Sequence, residues 1–567
     1  MNVARTSHGP RLMSTPHPPG RLPQAAATHP VNPHVPPPQT PSPQVMPSAD
    51  RPDVPAPARP AGRPPVRLFG ADRLRASDAQ LARMRRVARG EEDADLVVRG
   101  GLVVVVQDGS VVSRDVLIVG RHIAAVTRPG ALGGRRSLDA AGRYVLPAYV
   151  DPGLRIEDTL LSPGELARLL VPRGTGTLLA DPTALIALGG IRGPEFAAGS
   201  GTPLRVLIRS GGTPDAALSD TVGPTGSTGA GGELAGMSTL DADSAEGLRR
   251  ALEAAGLAGS RTVTELAYQG HIDHDVRLAV GGGASPIDAI RRATLLPARA
   301  YGLDSILGAV APARLADLQV VSTLADTAPP DVVVAGGRIA AEHGRPLFDN
   351  LDAAPDWAAG RIQLPVTLHA GSFAGPDLAR VGRGDGSIAA VSIDAGAGPT
   401  IPPVAAPPVP VSGAGVRVVR VVPTVREGRA VADATRDLQK VAVLGRAGGP
   451  ETAEIGLVRG CGLSRGALGF TTAQAPGRVV VIGTRDDDML TAARAVEGMG
   501  GGFVVVDQGW VRAACPLPLL GLLSDAPWEA VLGELAAVDT AAADLGCRLP
   551  FPLRTLARFG SQLHTGP

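Results

Sequence analysis

Between Tyr144 and Leu303 the sequence alternates short apolar strands with helix-like runs, and the whole stretch is 160 residues long. No other feature constrains the fold as tightly. A closed barrel of eight strand–helix units takes about 200–250 residues. The spacing therefore predicts a truncated α/β layer, whose parallel strands leave unpaired edges unless a C-terminal domain or a second subunit covers them. Within the layer, Tyr144–Asp151 reads as a strand. Ser162–Val171 reads as a helix, with Ser162 as N-cap and Pro163 in its first turn. Gly176–Asp181 and Pro203–Arg209 read as further strands. A Gly/Ser/Thr-rich loop over Ser210–Met237 follows, then helices over Ser244–Ala255 and Asp273–Leu295.

The flanks organise the rest. Residues 1–66 hold 19 of the 53 prolines and four histidines (His8, His17, His29, His34), a composition that cannot offset its own ordering entropy. They are expected to be a disordered tail. Residues 67–143 read as a helix with Leu74, Leu81, Met84 and Val87 on one face, then the first half of a small β-sandwich with turns at Asp108-Gly109, Gly120-Arg121 and Gly142. Residues 144–304 are the truncated layer. The sandwich resumes over 305–345, 346–415 is an irregular segment with a Pro/Ala/Gly-rich linker, and 416–567 is an α/β C-terminal domain. In that domain Gly500-Gly501-Gly502 precedes a strand, whereas a phosphate-cradling loop follows one, so the run is read as a helix stop and turn.

Composition excludes several function classes. The formal charge of +1 gives no footprint for a polyanion such as nucleic acid. No run of 18 apolar residues exists, so no membrane partner is expected. Cys461, Cys515 and Cys547 are few, odd in number and far apart, matching neither a disulfide framework nor a zinc ribbon. A cytoplasmic location follows as the expectation.

Three blocks carry a family resemblance. The first runs from Ala94 to about Gly193 and includes Gly142-Arg143-Tyr144-Val145-Leu146-Pro147 and Leu179-Ala180-Asp181-Pro182. The second holds Gly270-His271-Ile272-Asp273-His274-Asp275, Ala293-Thr294-Leu295-Leu296-Pro297 and Gly308-Ala309-Val310. The third holds Gly460-Cys461-Gly462-Leu463-Ser464, Val481-Ile482-Gly483-Thr484-Arg485 and Leu517-Pro518-Leu519-Leu520-Gly521. Together they resemble the adenine deaminase family of the metal-dependent amidohydrolase superfamily. The resemblance implies a TIM-barrel-like amidohydrolase domain, here truncated, with a split β-sandwich and a C-terminal α/β domain. It implies hydrolysis of adenine to hypoxanthine and ammonia, with a Mn, Fe or Zn ion activating water and carboxylates moving protons. It also implies a homo-oligomer and a purine ligand.

Departures from the family pattern fall on the chemistry. Where the family reads Pro-Gly-Phe-Ile-Asp-x-His-x-His, this chain places Gly153 and Arg155 at the histidine positions. Where it reads Asp-Pro-His-Glu, this chain has Asp181-Pro182-Thr183-Ala184. Glycine has no side-chain donor and arginine stays protonated, so neither ligates a metal. The expectation is therefore that metal is not bound. The residues left as pocket candidates are Asp151, Arg155, Asp181, His271 and His274. His271 and His274 form an i, i+3 pair that could share a helix face. Arg155 could pair with Asp151 or Asp181, or hold an anionic ligand. The residues read as an impaired deaminase; the alternative is a non-catalytic purine-binding or interaction protein.

Overall fold

The computed structural model describes residues 66–69, 74–199, 201–210, 239–240, 261–324, 329–349, 355–360, 362–394, 415–445 and 453–563. The Pro-rich tail up to residue 65, nearly all of the Gly/Ser/Thr-rich loop, the helix expected at Ser244–Ala255 and the linker at 395–414 lie outside the described residues.

Strand β1 (Val66–Phe69) comes first, then helix α1 (Asp78–Ala88). α1 starts after Leu74, the first residue of its expected apolar face, because Ser77 and Gln80 form a reciprocal capping box that fixes its first turn. Met84 and Val87 are its buried face. Strands β2 (Leu96–Val105), β3 (Ser110–Val119) and β4 (His122–Thr127) pair as an antiparallel meander.

The stretch Tyr144–Asp151, which reads as one strand, is two: β5 (Tyr144–Pro147) and β6 (Tyr149–Asp151). The break is at Ala148, whose N–H donates to the Asp317 carbonyl at 2.9 Å. β5 stays beside β2 in the sandwich. β6 enters a second sheet with the parallel strands β7 (Thr175–Ala180) and β8 (Arg205–Ser210). The chain returns to the sandwich through β9 (Leu318–Val321), β10 (Val332–Ala335) and β11 (Arg338–Glu342). β9 lies antiparallel to β5, so both halves of the sandwich join in one nine-stranded sheet.

Helices α2 (Ile156–Thr159) and α3 (Pro163–Leu170) follow β6. Ser162 caps α3 by accepting from the Glu165 N–H. After the undescribed stretch come α4 (Val263–Tyr268), α5 (Ile272–Gly281) and α6 (Pro286–Ala293). The single helix expected over Asp273–Leu295 is broken between α5 and α6, where Gly281-Gly282-Gly283 and Pro286 cannot carry helical hydrogen bonding onward cheaply.

β1 gives the truncated sheet an edge strand. It pairs antiparallel with β8, Arg67 opposite Ser210, Leu68 opposite Arg209 and Phe69 opposite Ile208. The C-terminal domain or second subunit expected at this edge is therefore not what pairs with β8. Among the described residues, β1's far side meets only the two-residue strand Thr239–Leu240. Proline lacks an N–H donor, and Pro64-Pro65 stands directly before β1, which limits any extension of the ladder. Replacing both Arg67 and Leu68 by proline is expected to free the β8 edge. Hydrogen exchange should then speed up across Arg205–Ser210, with self-association on size-exclusion chromatography. Unchanged exchange there would contradict this account.

The sheet of the C-terminal domain also takes in a strand from ahead of residue 416. β12 (Ile388–Asp394) falls in the stretch read as irregular, yet it pairs with β13 (Gly415–Val421) and β15 (Glu454–Arg459). With β14 (Leu438–Leu444), β16 (Ala467–Thr471), β17 (Val479–Gly483), β18 (Gly502–Asp507) and β19 (Trp510–Pro516), the eight-stranded order is β13-β12-β15-β14-β17-β16-β18-β19. The period-2 rule sorts its core. Val479 and Val481 pack with Ala492, Ala493 and Val496 of helix α7 (Asp486–Gly498). Val480 and Ile482 face the other way, into a core shared with Leu166, Leu178 and Val206 of the truncated layer and Val531, Leu535 and Val538 of α8 (Trp528–Asp544). Backbone bonds reinforce that junction: the Ser162 N–H donates to the Ser524 carbonyl at 3.0 Å, and the Ser524 N–H to Leu160 at 2.7 Å. The glycine run is indeed a turn. Gly501 has φ 132°, and a Cβ there would lie 2.4 Å from the Gly521 Cα, so only glycine fits. No helix among the described residues is long and apolar enough to cross a membrane.

Candidate functional site

The C-terminal ends of β6, β7 and β8 are where a parallel α/β layer presents its chemistry. Asp151 ends β6, Asp181 directly follows β7, and Arg209 lies near the end of β8. Two separate polar groups form around this mouth.

The first is buried. Asp151 accepts from the N–H groups of Gly153 (2.7 Å) and Leu154 (3.1 Å) through Oδ1. Its Oδ2 lies 2.6 Å from His271 Nε2. The other ring nitrogen, Nδ1, lies 2.8 Å from the Thr175 hydroxyl. Asp151, His271 and Thr175 are all at most 1% exposed. The pattern assigns Nε2–H as donor to the carboxylate and Nδ1 as acceptor from the hydroxyl. The chain Thr175–His271–Asp151 thus straps β7 and β6 to the start of α5. On the same helix, Asp275 pairs with Arg261, and its Oδ2 is buried without a hydrogen-bond partner. Burial pushes the Asp275 carboxyl up to about 6, against the opposing charge of Arg261.

The second group carries Arg155. Its Nη2 lies 3.0 Å from Glu157 Oε1, and its Nε lies 3.7 Å from Asp158 Oδ2. The Glu157 side chain is fully buried, and its Oε2 has no partner. Burial pushes this carboxyl up to about 7, although Arg155 pulls it down. Asp181 accepts from the Thr183 N–H (3.0 Å) and hydroxyl (2.7 Å). Burial pushes Asp181 upward, but these two bonds and the charges of Arg209 and Arg155 outweigh it and hold the carboxyl below its ordinary value.

His271 and His274 do not act together. Both ring nitrogens of His271 are engaged by Thr175 and Asp151. His274 Nδ1 is 3.5 Å from the Arg277 guanidinium. Burial, and then the charges of Arg261 and Arg277, hold the His274 imidazole below its ordinary value. Such a neighbourhood repels a cation. The alternatives for Arg155 narrow as well, since its ion-pair partners are Glu157 and Asp158 and not Asp151. Sequence reasoning missed Thr175, Asp275, Arg261 and Arg209 as members. An arginine at the end of an apolar strand was the one available signal for Arg209. The other three are recognisable only once α5 is packed on the sheet.

The donor set at the family's metal positions does not fit a divalent ion. Gly153 contributes a backbone N–H, Arg155 a cation, and Thr183 a hydroxyl already given to Asp181. A cavity of about 70 Å³ lies elsewhere, lined by Tyr149, Arg173, Asp273, Arg277 and Gln319.

The two raised carboxyls set a pH dependence. Between its ordinary value of 4.5 and about 7, Glu157 keeps in the folded state a proton that the unfolded chain releases. Asp275 does the same from 3.8 to about 6. Stability is therefore expected to fall as pH rises from about 4 to about 7 and to level off above, with Glu157 accounting for about 3 kcal/mol. Glu157→Gln should flatten the upper half of that window in urea titrations. An unchanged profile would show that Glu157 ionises normally.

Comparison with known proteins finds matches to one family. Residues 417–563 match the model of the adenine deaminase C-terminal domain, and residues 238–340 that of the amidohydrolase family. Similar proteins include the adenine deaminase of Moorella thermoacetica, 29% identical over 83% of this chain and 92% of that one. Those of Methylobacterium sp. (29%, 83% and 94%) and Methanothrix thermoacetophila (27%, 83% and 93%) match similarly. Solved structures that align include phenylurea hydrolase B (TM-score 0.33, 15% identity, 46% of this chain and 100% of that one). Atrazine chlorohydrolase TrzN from Arthrobacter aurescens TC1, complexed with zinc, also aligns (0.30, 15%, 45% and 97%). At these scores the structural likeness is too loose to bear on chemistry.

Proposed function

We propose that the chain, similar to adenine deaminases over 83% of its length, is a member of that family in which hydrolytic deamination of adenine is lost, leaving a folded protein whose role is non-catalytic. One observation carries the reading. The residue at a family histidine position, Arg155, is committed to Glu157 and Asp158 and offers no lone pair to a metal. Without a bound ion there is no means here of lowering the pKa of water to near 7, the step on which the family's hydrolysis depends. The preserved cores of the C-terminal domain support a stable product rather than a collapsed one.

The remaining function is binding, of a purine or of another protein. Metal quantification on the purified protein, paired with calorimetric titration of adenine and hypoxanthine, tests the reading. Substoichiometric Mn, Fe and Zn is expected. One equivalent of any of them, retained through gel filtration, would remove the basis of the proposal. Purine binding without metal would favour a purine-binding role, and its absence an interaction role.

A further inference from the structure

We infer that the Arg155 guanidinium is a built-in replacement for the metal ion, a fixed cation that holds the carboxylates at the mouth of the parallel strands. The inference rests on the reading above and adds what now occupies the cation position. Arg155 stands at a position where the family has a metal-binding histidine, just beyond the end of β6. Its guanidinium lies within ion-pair distance of Glu157 and Asp158, and its charge also reaches Asp181 across the sheet. The charged groups that act on one another around Arg155 are Glu157 and Asp158 in α2, Asp181 after β7 and Arg209 on β8. Three carboxylates against two guanidiniums leave no surplus positive charge, so the site does not recruit an anionic ligand.

A guanidinium differs from a metal in two ways that matter. It cannot dissociate, so the site needs no ion supply. It has no vacant coordination position, so it neutralises the carboxylates without polarising water. Glu157 makes the need for a cation acute. Its side chain is fully buried and one oxygen has no partner, so losing Arg155 would leave an uncompensated buried carboxylate.

The test is a double-mutant cycle at pH 8 on the full chain, using Arg155→Met, Glu157→Gln and the double variant, with melting temperature as readout and each protein measured with and without chelator. Arg155→Met is expected to lower the melting temperature by roughly 5–10 °C. The double variant should recover most of that loss, and chelator should leave the wild type unchanged. Arg155→Lys, which keeps a charge, should fall between and supplies a folded comparator if Arg155→Met is insoluble. Equal effects of Arg155→Met with and without Glu157→Gln would overturn the inference while leaving the loss of catalysis intact. If Arg155→Met is insoluble, a double variant that is insoluble too, beside a folded Glu157→Gln, would overturn the inference in the same way. A wild-type melting temperature that drops with chelator would overturn both readings, since a metal would then be present.

Discussion

Replacing His271 by alanine is expected to destabilise the folded protein by about 3–5 kcal/mol. The imidazole is wholly buried and bonded at both nitrogens, to Asp151 at 2.6 Å and Thr175 at 2.8 Å. Its removal leaves Asp151 Oδ2 as a buried acceptor without a partner, and each such group costs roughly 1–3 kcal/mol or more when charged. It also opens a cavity between β6, β7 and α5. His274, three residues on, is the internal control. It is partly exposed and its contact with the Arg277 guanidinium is a marginal 3.5 Å, so His274→Ala should cost no more than about 0.5 kcal/mol. Urea unfolding of the two variants checks this. Equal midpoints would show that the strap contributes nothing specific.

The second large effect concerns catalysis. Enzymes of ordinary proficiency exceed the uncatalysed rate by about 10⁶-fold or more, and this protein with added Mn(II) is expected to show none of that on adenine. The expectation extends to a partial restoration. Gly153→His with Arg155→His would return two imidazoles, yet Thr183 and Ala184 would still stand where the family has a further His and Glu. The double change would also strip Glu157 of its counter-charge. Such a variant should be less stable and still inactive, which ammonia release and a melting curve measure together.

What was legible in the sequence was local. Ser162 and Pro163 announce α3, the continuous apolar run Val479–Ile482 announces β17, and the acids at Asp486-Asp487-Asp488 announce the start of α7. Partners distant along the chain were not legible. The break at Ala148 depends on the Asp317 carbonyl, and β1 is a strand because β8 has an open edge. β12 was hidden by the Gly- and Pro-rich residues that follow it. The helix break at Gly281-Gly282-Gly283 was written plainly in the residues and was over-read as continuous. At the site, the residue types told which of the expected metal ligands are replaced, Gly153, Arg155 and Thr183 standing in their places. Only the fold placed His271 on Asp151, 120 residues away, and gave Arg155 to Glu157.

Ammonia release from adenine by the pure protein, followed with EDTA and then with Mn(II) added in excess, tests the loss of the hydrolytic centre most directly. The account predicts a rate equal to the protein-free control under all three conditions. Turnover that disappears with EDTA and returns with Mn(II) would contradict it.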